Sequence, residues 1–218
     1  MVFLSFKRTY PIAHLLRILW ACIIFLPCGL WVNVKGKENL KGLGNFIYTP
    51  NHSSYIDIPT CALALPGILS FMAKHELAKI PIFGYFFKTI DLGVKRRERR
   101  DAYKAFIKMG DKLEEGQKPI IFPEGTIPSN APKLGNFKLG AFKMAIEKGV
   151  PIVPVSMPKN SYCFPDKKKI VLRHAILPVI IHRPIPTANL KAEDAPALMQ
   201  QVYNIIEKEL KHHNPEIA

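Results

Sequence analysis

The chain has 218 residues, the length of one ordinary domain, and 48% of them are hydrophobic, which excludes an intrinsically disordered chain. Lys and Arg number 31 against 17 Asp and Glu, so the formal net charge is +14. We therefore expect an anionic partner, which would be nucleic acid, an acidic lipid surface or a phosphorylated substrate. The four cysteines form no C-x-x-C pair, which excludes the usual zinc motifs and a disulfide framework and indicates a reducing compartment.

The N-terminal region contains an uncharged stretch at residues 18–34, near the lower limit of about 17–25 residues that a membrane-spanning helix needs. Pro27 would break a helix near the middle of this stretch. Basic residues flank it on both sides, with Lys7, Arg8 and Arg17 before it and Lys35, Lys37 and Lys41 after it. Both flanks would face the cytoplasm if the segment lies in the membrane interface or enters the membrane and returns. We predict that residues 1–34 associate with the cytoplasmic face of a membrane, as a monotopic or single-pass anchor; a buried core helix is the alternative.

After the N-terminal segment, short apolar runs alternate with amphipathic segments. We predict strands at residues 46–49, 68–73, 119–122, 150–156, 170–173 and 177–182. We predict helices at residues 80–87, 99–115, 138–148 and 194–213. Alternating strands and helices indicate an α/β fold, with a layered, mostly buried sheet flanked by helices. No linker divides residues 35–218, so we expect one domain there, preceded by the apolar anchoring segment.

The first candidate site contains His52 and Asp57 and follows the strand predicted at residues 46–49. A histidine can take a proton from an alcohol, and a carboxylate bonded to its other ring nitrogen fixes the tautomer and stabilises the imidazolium. On a regular helix the two side chains would point about 140° apart. They can therefore meet only if His52 lies in the turn before a helix and Asp57 lies in its first turn. Spacing alone leaves open a catalytic pair or two unrelated surface residues.

The second candidate site is Phe-Pro-Glu-Gly-Thr at residues 122–126, which follows another predicted strand. Gly125 would let the backbone approach a ligand, and Thr126 would donate a hydrogen bond to it. Glu124 would accept a hydrogen bond from a substrate hydroxyl or hold the loop together. A Pro-Gly turn with a solvated glutamate is the alternative.

A third candidate is the basic run at residues 95–100, which contains Arg96 and Arg97. Guanidinium groups bind phosphate through two parallel hydrogen bonds, so this run would suit a phosphorylated headgroup or acidic lipids. The run is equally typical of the solvated start of a helix. The sequence contains no motif that demands a metal ion or a nucleotide cofactor.

In combination these motifs resemble the 1-acylglycerol-3-phosphate O-acyltransferase family. The His-x4-Asp motif at residues 52–57, the basic run, the motif at residues 122–126 and Val-Pro-Ile-Val-Pro-Val at residues 150–155 follow one another in the family's order. The resemblance extends over about residues 35–210. It implies that an acyl chain moves from acyl-CoA or acyl-carrier protein to a glycerolipid hydroxyl, without a metal ion or another cofactor.

The resemblance also implies roles for individual residues. His52 would be the general base and Asp57 its partner, while Glu124, Gly125 and Thr126 would belong to the acceptor site. Arg96 would bind phosphate, and the adjacent Arg97 would share this role.

Two positions depart from the family's pattern, because Lys95 replaces its usual aspartate and Ile127 replaces its usual basic residue. Lys138 would supply some of the missing positive charge. These departures concern the headgroup of the acceptor rather than the reaction.

The expected function is therefore acylation of 1-acylglycerol-3-phosphate to phosphatidic acid in phospholipid biosynthesis. The expected partners are membrane lipids, the lysolipid acceptor and acyl-CoA or acyl-carrier protein. One alternative is an O-acyltransferase that acts on a lyso-aminolipid, and the departures at Lys95 and Ile127 keep it open. The other alternative is a non-catalytic basic module that binds membranes or nucleic acid. We expect no nucleic acid, because the basic residues do not interleave with aromatic residues as stacking platforms require.

Overall fold

The computed structural model describes residues 9–79, 81–94, 99–166 and 171–215. Within them the strands, in chain order, are β1 (Leu30–Lys35), β2 (Ile47–Pro50), β3 (Leu69–Lys74), β4 (Leu92–Val94), β5 (Lys118–Ile120), β6 (Ile152–Ser156) and β7 (Ala175–Ile181). The α-helices are α1 (Tyr10–Phe25), α2 (Asp57–Ala64), α3 (Pro81–Thr89), α4 (Arg99–Glu114), α5 (Gly140–Glu147), α6 (Asn160–Cys163) and α7 (Ala195–His213). Short 3₁₀ helices occur at Lys37–Leu40, His75–Lys79 and Ala192–Asp194.

The seven strands of the described residues form one sheet in the order β1-β7-β6-β2-β5-β3-β4. Neighbouring strands are parallel except for β6 and β7, which are antiparallel. Strands β1 and β7 therefore run against the other five. As a result, the amino-terminal ends of β1 and β7 lie at the same edge of the sheet as the carboxyl ends of β2, β5 and β6.

Helices cover both faces of this sheet, because the strand side chains alternate between two apolar clusters. Ile47 and Ile152 point to one face, where α4, α5 and α7 pack. The adjacent Tyr48 and Val153 point to the other face, where α2 packs, and α1 packs against α2 and α3 on that side. The predicted α/β fold with a mostly buried sheet and flanking helices is confirmed.

The edge strand β1 was not predicted, because its residues lie in the uncharged stretch assigned to the anchor. Strand β1 pairs with β7 along its whole length, from Leu30 opposite Ala175 to Lys35 opposite Ile180. Residues 30–34 of the predicted N-terminal segment therefore belong to the sheet. The division into an anchor at residues 1–34 and an acyltransferase domain at residues 35–218 stays a prediction.

The predicted strand at residues 170–173 is wrong for residues 171–173, and residue 170 lies outside the described residues. Both edges of β7 are already occupied, one by β1 and the other by β6. The segment before β7 therefore cannot pair with β7. The backbone N–H of Arg173 instead donates to the carbonyl oxygen of Cys163 at 2.9 Å.

Helix α1 packs on the sheet through a buried stripe that includes a charged residue, Arg17. Its guanidinium contacts an Asp91 carboxylate oxygen at 2.6 Å and the carbonyl oxygen of Leu69 at 2.9 Å. The same group lies 4.9 Å and 4.8 Å from the ring centroids of Phe71 and Phe86. Arg17 was predicted only as one of the basic residues that flank the uncharged stretch, and in the structure it is 1% exposed. Removing one partner of such a buried pair costs about 3–5 kcal/mol, so Arg17 holds α1 against the body.

The opposite side of α1 exposes large apolar side chains to the surroundings. They are Ile12, Leu15, Leu16, Leu19 and Ile23, which are between 44% and 72% exposed. Helix α1 has 16 residues, and no helix among residues 9–79, 81–94, 99–166 and 171–215 is long and apolar enough to cross a membrane.

Candidate active site

The candidate site lies where two neighbouring parallel strands, β2 and β5, end. Tyr48 of β2 pairs with Ile120 of β5, so the segments that follow these strands emerge side by side at the carboxyl edge of the sheet. His52 lies just beyond β2, and Glu124 lies just beyond β5. The carboxyl edge of a largely parallel sheet is where ligands bind in many α/β proteins.

His52 and Asp57 form a hydrogen-bonded pair, with 2.8 Å between His52 Nδ1 and Asp57 Oδ2. Asp57 is the first residue of α2, and His52 lies in the turn before that helix. This is the arrangement that the five-residue spacing requires. Because a carboxylate can only accept, Nδ1 carries the proton and Nε2 is left with a free lone pair. The pair can therefore work as a base at Nε2.

Asp57 is completely buried and accepts hydrogen bonds from nitrogen donors on both oxygens. The backbone N–H groups of Ser53 and Ser54 donate to Oδ2 at 2.6 Å and 2.9 Å. The side-chain amide of Asn160 donates to Oδ1 at 2.7 Å. Burial alone would favour a neutral carboxyl group, but donors of this kind favour the charged form. They keep Asp57 able to stabilise a positive charge on the imidazole.

Phe122 supports the imidazole of His52 from one side. The two rings stack with their centroids 4.2 Å apart and an angle of 23° between their planes. The side chain of His52 is 12% exposed, so it is shielded from most of the solvent but still reachable. Stacking on Phe122 and the bond to Asp57 together fix both the tilt and the direction of the ring.

His52 opens onto a cavity of about 260 Å³ that lies between the sheet and helices α4 and α5. Most of its lining is apolar, and the apolar residues are Met72, Val94, Phe106, Ile120, Ile121, Phe122, Pro123 and Ala141. His52 and Lys138 are the ionisable side chains among its described lining residues. An apolar cavity with a few polar groups at one end suits a ligand that has a hydrocarbon part and a polar part.

Glu124 ties the turn that carries His52 to the loop that follows β5. Its Oε1 accepts from the backbone N–H of His52, and its Oε2 accepts from the backbone N–H of Gly135, both at 2.7 Å. The residue is 5% exposed, and burial raises the pKa of its carboxyl group from the ordinary 4.5 to about 7. The two N–H donors and the nearby His52 oppose this rise but do not cancel it.

Gly125 and Lys138 meet at the mouth of the cavity. Gly125 has a φ of +72°, and a Cβ atom there would lie 2.8 Å from the ammonium nitrogen of Lys138. Any other residue at position 125 would therefore be strained in its backbone and would displace the lysine. Lys138 is exposed and is held locally by its own backbone N–H, which donates to the carbonyl oxygen of Pro123 at 2.8 Å.

The structure brings together five of the residues predicted for the site: His52, Asp57, Glu124, Gly125 and Lys138. Thr126 is exposed and does not line the cavity. Arg96 and Arg97 lie outside the described residues. Sequence reasoning missed Asn160, although β6 neighbours β2 in a parallel pair. A search of every strand exit at this edge for polar side chains would have found it.

Residues 31–158 of the chain match the protein family described as Acyltransferase. That match covers more than half of the chain and contains His52, Asp57, Glu124, Gly125 and Lys138. The chain belongs to this acyltransferase family. The resemblance to acyltransferases inferred from the four motifs is confirmed.

Individual relatives within the family agree with this assignment. A chloroplastic 1-acyl-sn-glycerol-3-phosphate acyltransferase of Arabidopsis thaliana is 32% identical over 85% of this chain and 51% of its own length. A 1-acyl-sn-glycerol-3-phosphate acyltransferase of Chlamydomonas reinhardtii is 30% identical over 99% of this chain and 65% of its own length. The chain therefore spans between about half and two thirds of the length of these relatives.

A solved structure is also similar to this chain. The crystal structure of PlsC, the 1-acyl-sn-glycerophosphate acyltransferase of Thermotoga maritima, superimposes with a TM-score of 0.75 at 27% sequence identity. The superposition covers 90% of this chain and 77% of that protein. The similarity thus extends over nearly the whole chain.

The raised pKa of Glu124 predicts how stability depends on pH. The folded chain holds a proton at Glu124 more tightly than the unfolded chain, so this group lowers the free energy of unfolding as pH rises from 4.5 to 7. The full change is at most about 3 kcal/mol. Glutamine does not titrate, so the stability of Glu124→Gln relative to the wild type should increase across that pH range. Urea unfolding at a series of pH values measures the difference. Glu193→Gln, on an exposed carboxylate, is the matched control. If the stability difference between Glu124→Gln and the wild type does not change with pH, the pKa of Glu124 is not raised.

Proposed function

We propose that this chain is a 1-acylglycerol-3-phosphate O-acyltransferase. It transfers a fatty acyl chain from acyl-CoA or acyl-carrier protein to the free hydroxyl of a lysolipid, and the product is phosphatidic acid in phospholipid biosynthesis. The observation that carries the proposal is the His52–Asp57 pair, whose histidine lines a largely apolar cavity. Membership of the acyltransferase family and the names of the relatives support it.

The proposed mechanism is direct transfer with His52 as general base. His52 Nε2 takes the proton of the acceptor hydroxyl as its oxygen attacks the thioester carbonyl carbon. Asp57 stabilises the imidazolium that forms. When the tetrahedral intermediate collapses, the carbon–sulfur bond breaks and the imidazolium returns its proton to the leaving thiolate. The step requires no acyl-enzyme, metal ion or cofactor, because the acyl donor already carries the activated group.

The apolar cavity beside His52 is the proposed site for a hydrocarbon chain. Its walls come from β3, β4 and β5 on one side and from Phe106 and Ala141 on the other. Burying apolar surface stabilises a bound chain by about 25 cal/mol per Å². A chain in this cavity would place its polar end beside His52 and Lys138, where the ester bond forms.

The acceptor site proposed here centres on the mouth of the cavity. Lys138 provides a positive charge that a phosphate monoester would pair with. Glu124 and Gly125 hold the loop and leave room for the ammonium group, and Thr126 is exposed nearby. Roles for Arg96 and Arg97 in binding the phosphate rest on the family resemblance alone.

We further propose that the protein associates with the cytoplasmic face of a membrane through α1. Its outward apolar side chains are exposed, while Arg17 on the inner side holds the helix to the sheet. A helix in this position can lie in the membrane interface with its apolar face in the lipid. The lysolipid acceptor and the product both reside in that interface, and the net charge of +14 favours anionic lipids.

Replacing the proposed base tests the function. The purified full chain should form phosphatidic acid from 1-acylglycerol-3-phosphate and labelled acyl-CoA or acyl-carrier protein, and His52→Ala should lower turnover by about 10²–10⁴-fold. His174→Ala, on an exposed histidine, is the matched control and should match the wild type. A lyso-aminolipid in the acceptor panel tests the alternative substrate. If His52→Ala retains more than a tenth of wild-type turnover, His52 is not the general base. If the wild type prefers the lyso-aminolipid, the proposed acceptor is wrong.

Replacing the lysine at the mouth of the cavity tests the phosphate site. Lys138→Met keeps most of the length of the unbranched side chain and removes its charge. A lost charge-assisted contact of roughly 1.5–3 kcal/mol should raise the acceptor KM by about 10–100-fold. The KM for the acyl donor should stay unchanged. Lys143→Met, on an exposed residue of α5, is the matched control. A defect confined to the acyl donor would instead assign Lys138 to the thiol-carrier site.

Changing the outer face of α1 tests membrane association. The triple variant Leu15→Ser, Leu19→Ser and Ile23→Ser removes apolar side chains that are 49–72% exposed, so the fold should persist. Cosedimentation with phosphatidylglycerol-containing vesicles should fall strongly, because the buried apolar area drives insertion. Ile107→Ser on α4, where the side chain is 45% exposed, should leave sedimentation unchanged. If the triple variant sediments as strongly as the wild type, α1 is not the anchor.

A further inference from the structure

Asn160 is a buried polar residue that contacts the catalytic pair from a separate part of the chain. It begins α6, shortly after β6 ends, and lies beyond the last residue of the family match, residue 158. Its exposure is 0%. Its amide nitrogen lies 2.7 Å from Asp57 Oδ1, although the two residues are 103 positions apart.

The partners of Asn160 fix the orientation of its amide group. The hydroxyl of Thr60 donates its proton to the carbonyl oxygen of Ile56 at 2.7 Å, so the hydroxyl oxygen is left to accept. Asn160 Nδ2 lies 3.1 Å from that oxygen and 2.7 Å from the Asp57 carboxylate. Both neighbours accept, so the NH₂ group must face them and each of its hydrogens is used.

This orientation affects the charge state of Asp57. Its Oδ2 receives the backbone N–H groups of Ser53 and Ser54 and the imidazole N–H of His52, while Oδ1 receives Asn160. A proton on Oδ1 would point at an NH₂ group that cannot accept it. The Asn160 contact therefore favours the ionised carboxylate.

Asn160 also differs from the other hydrogen-bond donors to Asp57 because it comes from a different segment of the chain. Ser53, Ser54 and His52 belong to the same turn and would move together with it. Asn160 comes from the segment after β6, and that segment is tied to the catalytic turn at a second point. The backbone N–H of Met157 donates to the side-chain carbonyl of Asn51 at 2.7 Å, so the segment that carries Asn160 is held next to the turn that carries His52.

We propose that Asn160 is a positioning residue for the acyl transfer. It holds Asp57 ionised and prevents the carboxylate from rotating, so that Oδ2 stays on His52 Nδ1 and Nε2 stays aimed at the acceptor hydroxyl. This role rests on the proposed function of His52 as base. Asn160 itself is not among the residues that line the cavity beside His52.

Other ionisable groups around the pair determine which pH measurement is informative. Burial, and then the charge of Asp57, raises the pKa of the Cys61 thiol, so this group stays neutral. Glu124, bonded to the backbone of His52, has a pKa of about 7 and titrates in the working range. Lys138 lines the same cavity. Dividing the kcat of a variant by the wild-type kcat at each pH removes the pH dependence that Glu124 and Lys138 give to both proteins.

The isosteric variant Asn160→Asp tests whether the contact between residue 160 and Asp57 affects turnover. Two adjacent carboxyl groups share one proton, and the second ionisation is strongly disfavoured. While that proton is present, the introduced carboxyl group can donate to Asp57 as the amide of Asn160 does; once it is lost, the two carboxylates repel each other. The ratio of the variant kcat to the wild-type kcat should therefore fall as pH rises from 6 to 9. A pH-independent ratio would show that the charge at this contact does not affect turnover.

Two further variants complete the kinetic experiment. Asn160→Ala should lower kcat by about 10–100-fold through misplacement of the base, with the KM of both substrates unchanged. Ser161→Ala changes the next residue of α6 and should leave both constants unchanged. Urea unfolding verifies that each variant is folded, and if Asn160→Ala does not fold, Asn160→Asp decides alone. A pH-independent ratio for Asn160→Asp, or a wild-type kcat in Asn160→Ala, would overturn the proposal.

A measurement without turnover keeps this inference separate from the proposed function. In histidine-labelled full-length protein, proton NMR should detect the His52 Nδ1 proton in its bond to Asp57, with His52→Gln used for assignment. In Asn160→Ala this resonance should broaden or disappear through exchange with water, and in Ser161→Ala it should persist. A sharp resonance in Asn160→Ala would overturn the positioning role. Failure of the wild type to transfer an acyl chain, with the expected NMR change present, would refute the proposed function and leave the inference about Asp57 intact.

Discussion

The carboxylate of Asp57 has no contact with solvent, and the arrangement of the candidate site follows from the hydrogen bonds that this charge requires. A buried ionised carboxylate costs several kcal/mol unless donors replace water. Here the donors come from the turn after β2, from the imidazole of His52 and from Asn160 at the start of α6. These three groups can meet only where β2 and β6 end side by side. The direction of the His52 imidazole therefore follows from the hydrogen bonds that the buried carboxylate of Asp57 needs.

A second buried carboxylate holds the same turn from the opposite side. The N–H of His52 points to Glu124, while the next two N–H groups, of Ser53 and Ser54, point to Asp57. Consecutive backbone amides are thus divided between two carboxylates from different parts of the chain. The environments differ, because Asp57 has four nitrogen donors and Glu124 has two, and burial raises the pKa of Glu124 to about 7. The charge of Glu124 therefore depends on pH in the neutral range.

The N-terminal helix is held to the folded body by a charge on its inner side. Most surface helices turn their apolar side to the core, but α1 exposes leucine and isoleucine and buries Arg17. The ion pair with Asp91 and the aromatic rings of Phe71 and Phe86 compensate for the burial of the guanidinium. An apolar outer face and a fixed inner face give a helix that can contact lipid while remaining part of the folded body.

The sequence by itself determined the alternation of strands and helices, the order of the motifs and the one geometry in which His52 and Asp57 can meet, because these depend on periodicity and on short-range spacing. It did not reveal β1, whose apolar residues are equally suited to a membrane and to the edge of a sheet. It also indicated a strand at residues 171–173, where the structure has none. Only the tertiary structure decided that Arg17 is buried against Asp91 and that Asn160 reaches Asp57. Both contacts join residues more than 70 positions apart, and neither has a local pattern that distinguishes it. Such pairs are selected by the packing of the whole sheet, which no segment specifies alone.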